Sequence, residues 1–211
     1  MELRVLLCSG GLLTALVLGP SLGVLVGAGP GRAQPETPGE TATAEVEAEA
    51  GALSDGPGPQ HLALADLAGE WAWTSVFRMD VESPGSEPDS GTARVEAVLG
   101  DRFIQIHERG GILGEAFEAV KTFGYNNAAA VYEGSWLYTG STAMMRLRGS
   151  SEDGGRITVF QAQYATGPEE VQRFLVTLTI AGPDRFTLTL VALLEDGTAG
   201  PRIETEYTRT R

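Results

Sequence analysis

From residue 69 to the C-terminus, apolar and polar side chains alternate with a period of two, in segments separated by turn residues. Phe186, Leu188, Leu190, Ala192 and Leu194 share one face, with Thr187 and Thr189 opposite. Phe174, Val176, Leu178 and Ile180 oppose Gln172, Thr177 and Thr179, and Ile203, Thr205, Tyr207 and Arg209 oppose Glu204, Glu206 and Thr208. Near the start, Trp71, Trp73, Ser75, Phe77 and Met79 oppose Ala72, Thr74 and Arg78. Such alternation is what a strand with one covered face requires. The spacing predicts ten strands, near residues 69–80, 91–99, 102–109, 116–125, 129–138, 142–149, 156–165, 171–181, 185–195 and 202–210.

The breaks between these segments carry turn chemistry. Asp153-Gly154 and Asp196-Gly197 are hairpin signals because both residue types accept positive φ, and Gly182-Pro183-Asp184 and Asn126-Asn127 suit tight reversals. The run Gly110-Gly111-Ile112-Leu113-Gly114 reads as a flexible loop between strands. Residues 61–67 form a short helical turn ended by Gly69, and no longer helix interrupts the strands. Parallel crossovers are thereby excluded. Two all-β architectures remain: an antiparallel up-and-down barrel, which removes its own edges, or a sandwich.

A different pattern precedes the strands. Arg4, an apolar run over residues 5–28, Pro30 and the small-x-small triplet Gly31-Arg32-Ala33 have the layout of a secretory signal, so residues 1–33 are expected to be cleaved after Ala33. The apolar run is long enough to span a bilayer, but its glycines, Pro20 and the lack of a following basic cluster favour cleavage over a retained anchor. Residues 34–60 hold no aromatic and no basic residue, and Glu45, Glu47 and Glu49 repel one another. Such a segment buries too little apolar surface to offset its ordering entropy, so it reads as an acidic disordered linker. The folded domain is then residues 61–211, and the expected location is the periplasm or the cell exterior.

Charge narrows the partners. With 28 acidic against 15 basic side chains and a formal charge of -13, the chain is a poor match for nucleic acid or anionic lipid. Lys121 is the only lysine. The single cysteine, Cys8, lies in the leader, so no disulfide or thiolate metal site is available.

Gly69-Glu70-Trp71, opening the first strand after a helical turn, resembles the G-x-W signature of lipocalins and other calycin barrels. That resemblance implies an arginine on the last strand packed over the tryptophan, and Tyr207-Thr208-Arg209 supplies it, making Gly69, Trp71 and Arg209 the expected closure of one barrel end. With Gly100-Asp101-Arg102-Phe103-Ile104, Gly124-Tyr125-Asn126 and Trp136, residues 61–211 are similar to a bacterial family of uncharacterised proteins with a lipocalin-like barrel. The family pattern departs here at Asp101 and Asn126, where it has a second glycine and an aspartate. The resemblance implies fold and leaves function open.

No reaction motif is present. There is no nucleophile with a positioned base, no histidine pair at ligand spacing and no calcium-loop pattern, so no catalytic residue, metal or cofactor is expected. An enzyme reading would need a buried, mutually close Asp/Glu or Tyr/His pair with shifted pKa values. His107 shares a face with Phe103 and Gln105, opposite Ile104 and Ile106. If the isoleucines point inward it is a surface histidine, and in the reverse register it is an interior imidazole suited to haem. The remaining candidates to line a ligand site are Trp73, Phe77, Tyr132 and Trp136, with His107. The inward positions Ala93, Ala97, Ala130 and Gly134 are small and tilt the expectation toward a hollow barrel holding a small hydrophobic molecule. The alternative is a barrel filled by its own side chains and working through its outer surface.

Overall fold

A computed structural model describes residues 56–151 and 153–210. The leader, residues 1–33, and the linker up to residue 55 lie outside the described residues. A short helix, α1 (Pro59–Ala65), precedes ten strands: β1 (Gly69–Arg78), β2 (Asp89–Val98), β3 (Phe103–Ile112), β4 (Glu115–Asn126), β5 (Val131–Tyr138), β6 (Met145–Ser151), β7 (Ile157–Ala165), β8 (Val171–Gly182), β9 (Arg185–Leu193) and β10 (Ala199–Arg209).

Every strand pairs antiparallel with its sequence neighbours, and β10 returns to pair with β1, so the sheet is a closed up-and-down barrel. The sandwich alternative is excluded. Closure leaves no unpaired edge. Its faces are the inverse of a membrane barrel, apolar inside and carrying outward pairs such as Arg94–Glu96 and Arg185–Glu206. No helix among the described residues is long and apolar enough to cross a membrane.

Antiparallel order places alternate connections at opposite ends. The β1–β2, β3–β4, β5–β6, β7–β8 and β9–β10 connections surround one end, here called the mouth. The other end holds α1, the start of β1 and the end of β10. There His61 is buried, its Nδ1 accepting from the Gly58 N–H at 3.0 Å and its Nε2 donating to the Tyr125 carbonyl at 2.8 Å. Both ring nitrogens are used to seat the helix on β4.

One expectation is overturned by the pairing. Gly110, Gly111 and Ile112 are not loop: they continue β3 opposite Phe117, Ala116 and Glu115. Only Leu113-Gly114 turns, at φ 52° and 82°, as a tight two-residue hairpin needs. The glycine at 110 answers to packing, because a Cβ there would lie 2.5 Å from Trp73 Cζ2, and one at Gly91 would meet the same atom at 2.5 Å. The two glycines make the trough in which the Trp73 ring lies, its Nε1 donating to the Thr92 carbonyl at 3.0 Å.

Candidate ligand site at the barrel mouth

A ten-stranded barrel is wider than the eight-stranded size that ordinary side chains fill. Aromatic and long polar side chains fill this one. Ile106, Phe123, Phe160, Val176, Leu178, Phe186 and Tyr207, contributed by six strands, are all 0 % exposed. A void large enough for one water would leave its walls exposed, so the middle of the barrel is solid. This corrects the tilt toward a hollow interior. The small positions are small because large neighbours occupy their space: Ala93 sits between Trp71 and Glu108 in the ladder, and a Cβ on Gly134 would be 3.1 Å from the Phe123 ring. Ala130 is not an interior position at all, since it stands exposed in the β4–β5 turn at φ 51°.

At the centre lies a polar cluster. The Glu108 carboxylate on β3 accepts from both Lys121 Nζ on β4 and the Tyr207 hydroxyl on β10, and Lys121 also donates to the Tyr207 hydroxyl at 3.0 Å. All three residues are buried. Lys121 Nζ lies 4.1 Å from the centroid of the Trp136 ring, so the ammonium gains cation–π attraction where water is missing. Burial holds the Lys121 amine below its ordinary value, with the Glu108 charge opposing. Burial also pushes the Tyr207 phenol well above its own value, and the Glu108 charge and hydrogen bond add to that rise.

The ladder explains how a glutamate comes to lie inside. Glu108 is paired with Ala93 on one side and Ala119 on the other, and these short neighbours leave room for its side chain. In the sequence, Glu108 continues the face of Ile104 and Ile106, and Lys121 lies between Ala119 and Phe123 on one parity. That parity was the available signal. A sole lysine also stood out, but by composition alone it pointed nowhere.

A stack of rings joins this cluster to the helix end. Phe186 lies parallel to Tyr207 at 4.1 Å, Trp71 meets Phe186 edge-on at 4.7 Å, and the Arg209 guanidinium covers Trp71 at 4.4 Å. Arg209 also donates to the carbonyls of Asp66, Ala68 and Pro183, at 3.0, 2.7 and 2.9 Å. The Trp71 Nε1 donates to the Leu67 carbonyl at 2.9 Å. Gly69 has φ 146°, and a Cβ on it would stand 2.3 Å from Arg209 Nη1.

Toward the mouth the packing loosens. Phe77, Ile112, Phe117, Trp136, Tyr138 and Ile203 point inward from their strands and are only half-buried. Phe117 touches Trp73 edge-on at 6.2 Å and Tyr138 at 6.4 Å, and Phe77 is paired with Ile203 across the β1–β10 seam. They form an apolar layer above the polar cluster. Below it, Glu108, Lys121 and Tyr207 are buried at 3 %, 1 % and 0 % exposure.

Of the residues singled out from the sequence, Phe77 and Trp136 belong to this layer and Trp73 lies directly beneath it. Tyr132 does not join them. It sits at the opposite end beside a cavity of about 80 Å³ that Gln60, Ser150 and Ser151 also line, with its phenol held above the ordinary value by burial. His107 is not in the interior either. Ile104 and Ile106 take the inner face, so His107 is exposed between Arg94 and Val120 on the outer face, and the interior-imidazole reading that suited haem is removed. Among the described residues, no group of three or more His, Cys, Asp or Glu side chains is placed to hold a metal ion.

A closed antiparallel barrel with a short helix at one end and an apolar mouth at the other is a lipocalin-like barrel. The chain belongs to the family described as protein of unknown function (DUF1579), whose model matches residues 56–209. Three solved barrels are similar to it. The S-type phycobiliprotein lyase CPES from Guillardia theta is 9 % identical, with TM-score 0.47 over 71 % of this chain and 92 % of that one. Rv2717c from M. tuberculosis is 13 % identical, with TM-score 0.48 over 73 % and 99 %. A redesigned β-barrel, b11L5F_LGL, is 11 % identical, with TM-score 0.37 over 71 % and 96 %. No curated protein matches the chain in sequence.

Proposed function

We propose that the domain is a binding module that takes up a small, largely apolar molecule at the barrel mouth, not in a deep central cavity. The observation that supports this reading is the half-buried layer of Phe77, Phe117, Trp136 and their neighbours above a solid, sealed interior. Apolar area left partly in water at the end of an otherwise filled barrel gains by being covered. A seated molecule would contact the Trp136 ring, whose far side faces Lys121. The leader pattern supports an activity outside the cytoplasm, carried out by a chain cleaved before Gln34.

The test is thermal unfolding of delipidated protein with a panel of short-chain alcohols, esters and fused-ring hydrocarbons, followed by tryptophan fluorescence. A ligand specific for the native state raises the midpoint, by an amount that grows with the logarithm of its concentration over its Kd. Absence of any shift across the panel, together with no small molecule retained through purification from the native host, would sink the reading in favour of a module working through its outer face. Fractionation of cells expressing the full chain, with the mass of the mature N-terminus, tests the location separately.

A further inference from the structure

Two buried hydroxyls at the helix end have no protein partner. Tyr132 on β5 and Thr158 on β7 are 2 % and 0 % exposed, yet neither the Tyr132 Oη nor the Thr158 Oγ1 meets a hydrogen-bonding group. An unanswered buried hydroxyl is costly, and few in native proteins go unmet. Tyr132 also lines the cavity beside α1, whose volume of about 80 Å³ is several times the ~10–15 Å³ that one water needs. Exposed Ala130, Ser150 and Gly154 form one side of it and open it to solvent. The β6–β7 turn folds over the other side. Gly154 and Gly155 there have φ 75° and 97°, and a Cβ on Gly155 would lie 2.7 Å from the Tyr132 Oη.

Among the described residues, no charged side chain lines this cavity. Its walls are the Gln60 amide, the Ser150 and Ser151 hydroxyls, and the rings of Tyr125 and Tyr132, which meet edge-on at 4.9 Å. The Asp153 carboxylate beside it is held within its own turn, accepting from the Ile157 N–H at 2.8 Å and the Ser151 hydroxyl at 2.9 Å. The geometry points to a second binding site, at the end opposite the mouth, for a neutral polyhydroxylated molecule: the hydroxyl-bearing end of a sugar, or a small polyol. Amides and hydroxyls both donate and accept, so they match a ligand whose own groups do both. The two rings, set at an angle, cover its C–H faces. An anion finds no lysine or arginine in the lining, and a cation finds no carboxylate. A purely apolar molecule leaves the buried hydroxyls unanswered, which is the source of discrimination. The rest of a larger saccharide leaves past Ala130 and Gly154.

The test is titration of the isotope-labelled full chain, read by amide NMR, with methyl glucoside, glycerol and cyclohexanol. The two polyols are expected to move the Ser150, Ser151, Gly154 and Gly155 amides saturably, and cyclohexanol is expected to leave them in place. Response to methyl glucoside alone assigns the site to saccharides, and response to glycerol alone assigns it to small polyols. Tyr132→Phe is expected to leave the unfolding midpoint of the free chain unchanged or raised, because the hydroxyl has no protein partner. The same variant should weaken polyol binding about tenfold, the size of one hydrogen bond. Gln60→Ala, at a half-buried helix position, should weaken binding with Tyr132 intact, which keeps the test open if the first variant folds poorly. No saturable shift with either polyol overturns the inference, as does a cyclohexanol response equal to theirs. A Tyr132→Phe variant that unfolds earlier yet binds polyol as before also overturns it, since the hydroxyl then serves the fold through ordered water. Each of these outcomes leaves the mouth reading untouched.

Discussion

Gly69 and Arg209 occupy each other's only available space: the glycine's missing Cβ is where the guanidinium lies, 2.3 Å from where that carbon would be. The two residues come from opposite ends of the domain, and the β1–β10 seam brings them together, with Trp71 paired to Arg209. The same guanidinium ties three carbonyls and covers an indole, so it links the helical turn, the β8–β9 turn and the two seam strands.

Substitution at either position is therefore expected to loosen the seam. Gly69→Ala forces both a strained φ and a steric overlap, and should cost more than about 1 kcal/mol. Arg209→Lys keeps the charge but loses the planar fork, for about 2–3 kcal/mol, on the scale of hydrogen bonds made by charged groups. Urea unfolding followed by tryptophan fluorescence measures both.

The buried pair makes a second prediction. Lys121→Met leaves a carboxylate in a sealed interior and should cost about 3–5 kcal/mol, and Glu108→Gln should be of similar size because it strands the ammonium. The double change Glu108→Leu with Lys121→Met removes both charges and should recover most of that loss. A double substitution as unstable as the sum of the singles would show that the cluster contributes net stability.

Alkaline titration gives a third. Burial pushes the Tyr164 phenol up to about 12, raises Tyr132, and with Glu108 raises Tyr207 well above the ordinary value of 10.0. A raised folded pKa means the unfolded tyrosine releases its proton first. These groups' contribution is then full below about pH 10 and falls as pH rises toward the folded values. Lys121, held low, has the opposite sign: its contribution grows as pH rises toward 10.5. Absorbance of phenolate should therefore appear for these three tyrosines only together with loss of the folded far-ultraviolet signal. Early, reversible ionisation of all five tyrosines would contradict the packing.

Gly110 supplies a fourth. A methyl group there meets the Trp73 ring, so Gly110→Ala should destabilise by about 1–3 kcal/mol as overpacking does and shift tryptophan emission. A true loop glycine would tolerate the change, and equal stability of the variant would restore the loop reading.

Period-two alternation and turn chemistry determined the ten strands and the antiparallel order, and confined His107 to the face opposite Ile104 and Ile106. Those are local properties, written in neighbouring residues. Which face is inner came from the burial of those isoleucines. Closure by β10 on β1 is not local, and no strand's own pattern specifies it. The choice between a hollow and a filled barrel was likewise decided only by the tertiary structure. Alanine and glycine read as empty space along the chain, but across the ladder they stand beside Trp73, Phe123 and Glu108, which fill it. Gly110 and Gly111 read as a loop because conformational freedom and room for a neighbour look the same in one dimension. Glu108, Lys121 and Tyr207 are widely separated in the chain, and each is an ordinary polar residue until β3, β4 and β10 enclose them. Burial turns them into one cluster, since with water excluded each has only the other two and the Trp136 ring to answer its charge or hydrogen bond.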